Sequence, residues 1–357
     1  MSTSTPGRPG LSKPLLWGVR AALLAVSGLA SLAAAEIGLR AADFGFAMYP
    51  QAIQFGYPDP DSMRSEFELD EQLLWTPKRY DQLLERARRR KPQLVLMGCS
   101  CTAWGEFDKN LLRELRESRG VVEEAREDGE PPESLGVRIE NFAVPGWSSY
   151  QGRQQLVRDV LPLAPKVVTL FYGWNDHWIG FGVEDDAAGE LVEGVKESVL
   201  EKHRDLRVVQ AWAKLRMAFA RGGNDARPLR VPLDKFEANL REMVRLAKAQ
   251  GVQTVLLTAP TNVRAGDEPN YLAQRHLPDV TQLVPIHASY VEAVRKVARE
   301  EQALLCDLAA HFDTLPAEEL NKLIMKDGVH FTRAGGRRVG RLLFECFRDN
   351  GLFERMQ

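Results

Sequence analysis

Four short segments hold residues whose types and spacing suit nucleophilic chemistry. They are Gly98-Cys99-Ser100-Cys101-Thr102, the stretch Asn141 to Gln151 with Pro145-Gly146 at its centre, Gly173-Trp174-Asn175-Asp176, and Asp327-Gly328-Val329-His330. Together they supply a hydroxyl, a glycine that can expose its backbone, a side-chain amide and an Asp/His pair, which is what acyl transfer requires. A free hydroxyl is a poor nucleophile, so Ser100 needs a base, and histidine titrates in the range suited to that task. Asp327, three residues before His330, can orient the imidazole and stabilise its cation. The tetrahedral intermediate needs donors for its oxyanion, and Ser100 N–H, Gly146 N–H and the Asn175 amide are the candidates. Losing one such donor typically costs about 3–4 kcal/mol of barrier.

Each residue alone has a plainer reading. A serine after a strand is commonly an N-cap, Gly146 a turn, Asn175-Asp176 a helix cap and Asp327-Gly328 a turn pair. Cys99 or Cys101 is an alternative nucleophile to Ser100. His177, two residues past Asn175, is a candidate wall of the site, whereas His203, His276, His287 and His311 have no such context. Trp104, Trp147, Trp174 and Trp178 lie near the four segments and read either as a wall for an acyl group or sugar, or as core.

These segments sit where strands end. Gln93 to Met97 is a continuous apolar run closed by Gly98, as expected for a strand buried on both faces of a parallel sheet. Val137 to Val144, Lys166 to Tyr172, Gln253 to Thr258 and Ala303 to Leu308 read as four more strands. Amphipathic helices lie between them, including one with Phe236, Leu240, Met243, Val244 and Ala247 on its core face. Strand–helix alternation predicts a parallel sheet with helices on both faces, a three-layer α/β/α domain. In such sheets ligands bind outside the carboxyl ends of the strands. Two segments break the pattern. Glu123 to Ser134 is acidic and reads as a solvated loop. His177 to Pro232 is too long for a plain connection, has a helical piece at Val208 to Phe219 and is a candidate cap.

In order and spacing the four segments resemble the signature blocks of SGNH/GDSL hydrolases. Gly98-Cys99-Ser100 is similar to the Gly-Asp-Ser block, Gly146 to the second-block glycine, Gly173-Trp174-Asn175-Asp176 to Gly-x-Asn-Asp and Asp327-Gly-Val-His330 to Asp-x-x-His. The resemblance covers about residues 90 to 350. It implies a flavodoxin-like fold, a serine esterase with Ser100, Asp327 and His330 as catalytic residues, and an oxyanion hole of Ser100, Gly146 and Asn175. It implies no metal or other cofactor. The chain departs from the family pattern at Cys99, which stands where an aspartate is usual. That aspartate is not the proton-relay carboxylate, so the triad survives, while the hydrogen bonds of the nucleophile loop change.

Composition agrees with a globular enzyme: 357 residues, 44% hydrophobic, 27% charged and a formal net charge of -2. No basic excess suggests a nucleic-acid partner. The polar tail 1–14 precedes an apolar stretch, Leu15 to Ala35, which as a helix would rise roughly 30 Å, the thickness of a bilayer core. With positive charge ahead of it, it reads as a single transmembrane anchor that places the rest outside the cytoplasm. Ala33-Ala34-Ala35 leaves a cleaved signal, and hence secretion, as one alternative, and a buried helix of a soluble protein is the other. The Glu36-x-x-Leu-Arg40 that follows loosely resembles membrane-anchored bacterial members of the same family. Residues 36–89 are then a connecting region and 90–350 the hydrolase domain. Of four cysteines, Cys306 and Cys346 are a possible disulfide in an exported protein. The expected activity is hydrolysis of a small ester or of an acylated glycan or lipid. Transfer of the acyl group to an envelope glycan, and a non-catalytic envelope protein, are the alternatives.

Overall fold

The computed structural model describes residues 13–45, 66–120, 136–179, 184–188, 203, 205–220, 228–269, 277 and 279–356. The acidic stretch Glu123 to Ser134, nearly all of the 1–14 tail and much of 177–232 lie outside them. The chain divides into two compact units, residues 1–48 with 197–224, and residues 49–196 with 225–357.

In the first unit a helix spans Lys13–Ala41, and its Trp17–Ala41 part, with mean hydropathy 1.8, is long and apolar enough to cross a membrane. It runs six residues past Ala35 because Glu36, Leu39, Arg40 and Ala41 are good helix formers that offset Gly38, and Glu36 pairs with Arg40 one turn later at 2.7 Å. The second Glu36 oxygen accepts the Val208 N–H at 2.9 Å, at the start of the helix Arg207–Ala220. A carboxylate there complements the positive end of the helix dipole.

The second unit holds the sheet. Strands β3 (Leu94–Gly98), β4 (Ile139–Asn141), β5 (Val167–Phe171), β6 (Gln253–Leu257) and β7 (Leu304–Cys306) are all parallel, in the order β4-β3-β5-β6-β7. Counted within the sheet, this is the 2-1-3-4-5 order of flavodoxin-like folds. Successive residues of β3 feed opposite layers. Val95 and Met97 join the core under the helices Leu233–Ala249 and Leu283–Glu301. Leu94 and Leu96 join the core under the helices Phe107–Ser118 and Arg333–Asp349. Burying each such side chain contributes about 1.5–3 kcal/mol, which is why β3 is apolar throughout. β4 is shorter than its apolar run because the Asn141 side chain bonds to Ala143 N–H and Thr102 C=O, bending the chain toward Pro145.

The region between the apolar helix and the sheet holds an antiparallel hairpin without an obvious sequence signal, β1 (Phe67–Asp70) and β2 (Leu74–Pro77). Asp70 closes its turn by accepting the N–H groups of Gln72 and Leu73 at 2.9 and 2.7 Å. Cys306, at the end of β7, is disulfide-bonded to Cys346 in the helix Arg333–Asp349. That helix lies tight against Phe107–Ser118, and a Cβ at Gly340 would collide with Asn110.

Candidate active site

Ser100 opens the short helix Ser100–Trp104 directly after β3, and the Cys99 carbonyl accepts the Thr102 and Ala103 N–H groups that begin it. Its own N–H is one of the orphan donors of a helix start. His330 sits in a loop tied at both ends: Met325 N–H donates to His330 C=O at 2.7 Å, and Thr332 N–H to Leu323 C=O at 2.9 Å. Thr332 then caps the last helix by accepting the Gly335 N–H. Within the loop, Asp327 Oδ1 accepts the N–H groups of Val329 and His330, both at 3.0 Å.

Tertiary folding joins the two loops into one hydrogen-bonded chain. His330 Nδ1 lies 2.6 Å from Asp327 Oδ2, and His330 Nε2 lies 2.8 Å from Ser100 Oγ, 230 residues apart in sequence. An ionised carboxylate can only accept, so Nδ1 carries the proton and Nε2 accepts from the Ser100 hydroxyl. Burial raises the Asp327 carboxyl. The hydrogen bonds from the His330 ring and from the two backbone N–H groups outweigh that and hold it below the usual carboxylate range. Asp327 is therefore ionised at neutral pH.

The other segments line the same sheet end. Gly146 has φ +82°, a left-handed conformation that suits glycine. Among the described residues neither Gly146 N–H nor Ser100 N–H meets a protein acceptor. Asn175 donates one amide hydrogen to Trp147 C=O at 3.0 Å, which sets its side chain against the Gly146 loop. Asp176 is fully buried and ties the third segment to the second through the N–H groups of Ser149 and Gly173. Burial lifts its carboxyl to about 6 against the pull of those donors and of Arg230.

Several neighbours behave differently from the sequence reading. His177 does not line the site: it is buried and hydrogen-bonded to His287 Nδ1 at 3.0 Å, under the stacked Trp174. The indoles of Trp147, Trp174 and Trp178 are core, because large rings yield most when fully buried. Trp104 differs, with 60% of its surface exposed and its ring 4.9 Å from that of His330. Cys99 and Cys101 are free and buried, and Cys101 Sγ–H donates to Val329 C=O at 3.4 Å. The hydrogen bond to Cys99, and then burial, push the Cys101 thiol well above its ordinary value. Ser100, and neither thiol, makes the contact to His330. Among the described residues no group of three or more His, Cys, Asp or Glu could hold a metal ion.

Arg230 and Asp185 were not legible as site residues, yet with Gln151, the last residue of the second segment, they form a buried network behind the Gly146 loop. Arg230 stands in Pro228-Leu-Arg-Val-Pro232 and Asp185 in Glu184-Asp-Asp186, stretches without a motif inside the His177 to Pro232 segment that the sequence marks only as a candidate cap.

No curated protein matches the chain. Solved structures similar to it include a lipase/acylhydrolase from Enterococcus faecalis (16% identity, TM-score 0.45, covering 72% of this chain and 95% of that one). A GDSL-like lipase from Bacteroides thetaiotaomicron is 16% identical, with TM-score 0.44 and coverage of 76% and 98%. An acetylxylan esterase from Geobacillus stearothermophilus is 19% identical, with TM-score 0.41 and coverage of 72% and 93%. The sequence model of the GDSL-like lipase/acylhydrolase family matches residues 131–338, which include Gly146, Asn175, Asp327 and His330 and begin after Ser100. With more than half of its length matched by that model, the chain belongs to the GDSL-like lipase/acylhydrolase family and is a hydrolase of ester bonds.

Proposed function

We propose that the protein cleaves carboxylic esters through an acyl-enzyme on Ser100, with His330 as general base and acid and Asp327 orienting it. One observation carries the reading: the unbroken contact from Asp327 Oδ2 through His330 to Ser100 Oγ, at 2.6 and 2.8 Å. His330 Nε2 takes the hydroxyl proton as Oγ attacks the acyl carbon. The carbonyl π pair moves to oxygen, and Ser100 N–H, Gly146 N–H and the Asn175 amide receive the oxyanion. As the carbonyl re-forms, the ester C–O bond breaks and His330 passes its proton to the leaving alkoxide. Water, deprotonated by His330, then releases the acid in a second round of the same steps.

The apolar helix tethers this activity to a membrane, with the enzyme on the extracytoplasmic side. The positive charge ahead of the helix and the Cys306–Cys346 disulfide both support that side. Substrates are then acylated envelope glycans, lipids or small esters, and exposed Trp104 beside His330 offers an apolar face to the part of the substrate near the scissile bond.

Labelling of the full-length protein with a fluorophosphonate, beside Ser100→Ala, tests the mechanism. Stoichiometric labelling that vanishes in the variant is expected. A folded wild type that takes no label, or a Ser100→Ala protein that still hydrolyses p-nitrophenyl acetate, would sink it.

A further inference from the structure

Arg230 is a guanidinium with no exposed surface, outside the four segments, and its partners all belong to or flank the Gly146 loop. Its Nη1 donates to the Gly146 carbonyl at 2.6 Å, the shortest of its contacts. Its Nη2 donates to Gln151 Oε1 at 3.0 Å and to Asp185 Oδ2 at 2.8 Å, and Nε faces both Asp185 oxygens at 3.1 Å. The same acceptors hold the residue after the loop: Ser148 Oγ–H donates to Asp185 Oδ2 at 2.6 Å, and Ser148 N–H to Gln151 Oε1 at 2.9 Å. From beneath, the hairpin adds Trp75 C=O as acceptor for Trp147 Nε1 and Leu73 C=O for Gln151 Nε2. The Arg230 guanidinium itself lies over the Trp75 ring, 5.5 Å from its centroid.

A buried ion pair is a weak source of stability, since apolar side chains of like volume commonly do as well. What this pair supplies, and an apolar pair could not, is a fixed donor on a glycine carbonyl. Glycine is the residue most free to change φ and ψ. An unheld carbonyl at 146 would let both angles relax, and with them the direction of the Gly146 N–H.

We infer that Arg230, fixed by Asp185, is a positioning residue for ester hydrolysis that holds the Gly146 carbonyl so that the Gly146 N–H meets the oxyanion. This rests on the reading of Gly146 as an oxyanion donor given above. Arg230 touches no substrate and acts only through the loop. Its effect should therefore fall on the transition state, because oxyanion donors are placed for the tetrahedral oxyanion and not for the planar carbonyl oxygen of the bound ester. Losing one preorganised oxyanion donor lowers turnover about 10²–10³-fold, and a displacement near 1 Å can cost about 10²-fold.

The test uses the full-length protein and two variants. Arg230→Met with Asp185→Leu removes both charges of the ion pair together, so Asp185 is not left as an unpaired buried carboxylate. Arg230→Lys keeps a cation beside Asp185 but has a single point of donation where the guanidinium has a fork. In whichever variant retains the wild-type circular dichroism spectrum and a cooperative melt, kcat for p-nitrophenyl acetate should fall by about 30-fold or more while KM changes less than threefold. Inhibition by a phenylboronate, whose adduct with Ser100 mimics the tetrahedral intermediate, should weaken by a similar factor. The pH dependence of kcat should keep its shape, since the relay through His330 is untouched. A folded variant with wild-type kcat and boronate affinity overturns the proposal, as does a change confined to KM. Ser100→Ala in parallel separates the two readings. If it is inactive and the wild type takes the fluorophosphonate, unchanged Arg230 variants reject the positioning role alone. If the wild type takes no label, the underlying mechanism fails first.

Discussion

Replacing Asp327 with asparagine isolates what the carboxylate does for His330. Its two oxygens have different partners. Oδ1 accepts two backbone N–H groups, from Val329 and His330, and Oδ2 faces His330 Nδ1. An asparagine must place its carbonyl oxygen on the two N–H groups, because turning its NH2 toward them would oppose donor to donor. The loop is then kept, and the NH2 faces Nδ1. Nδ1 must become the acceptor, which moves the ring proton to Nε2, where it points at Ser100 Oγ. The base is thus present at the right distance in the wrong tautomer. Where this exchange has been made in a Ser-His-Asp triad the loss in kcat is about 10⁴-fold, which corresponds to about 5.4 kcal/mol of barrier. The expected loss here is about 10³–10⁴-fold at neutral pH, with KM nearly unchanged. The assay is p-nitrophenyl acetate hydrolysis under saturating substrate, with the fluorophosphonate labelling rate as an independent reading of Ser100. A thermal midpoint close to wild type would show that the loop persists. A loss smaller than tenfold in that folded protein would refute the reasoning, since Asp327 would then not be setting the tautomer.

Two further outcomes concern stability. The disulfide closes a segment of 40 residues that contains both Asp327 and His330, and chain entropy assigns a loop of that size at most about 4 kcal/mol. Cys346→Ser should therefore lower the denaturant midpoint, and reductant should do the same to the wild type but not to the variant. Asp176 makes stability depend on pH in the sense opposite to most carboxylates. Its folded pKa, about 6, is above the ordinary value of 3.8, so the folded state binds its proton more tightly. Its contribution is fully present below about pH 4 and is lost as pH rises through 6, a change of about 3 kcal/mol. Asp176→Asn should accordingly gain on the wild type between pH 4 and 6.5 in urea melts, whereas a constant difference would contradict the assignment.

Much of this protein could be read from sequence because its signals are local. A run such as Leu94 to Met97 must be buried on both faces, and a helix such as Leu233–Ala249 carries its apolar stripe at regular spacing. The ends of those runs point to the loops that carry Ser100, Gly146 and Asn175, whereas Asp327 and His330 lie in a loop between helices, well beyond the last strand, and are picked out by their Asp-x-x-His spacing. The apolar Trp17–Ala41 stretch announces itself by length and composition alone. What the sequence could not decide is which side chains meet across the fold. His177 and Trp104 both stand near the signature segments, yet one is sealed against His287 and the other is exposed on His330, because the direction of a side chain depends on the packing around it. The Ser100–His330 contact depends on a sheet that brings together loops 230 residues apart. The Arg230–Asp185 pair left no periodic or motif signal, since both charges lie in the long His177 to Pro232 segment, where nothing in residue type or spacing says which side chains turn inward. Only when the hairpin, the Gly146 loop and the segment after β5 close around them does water leave, and two ordinary charges become the support of one backbone carbonyl.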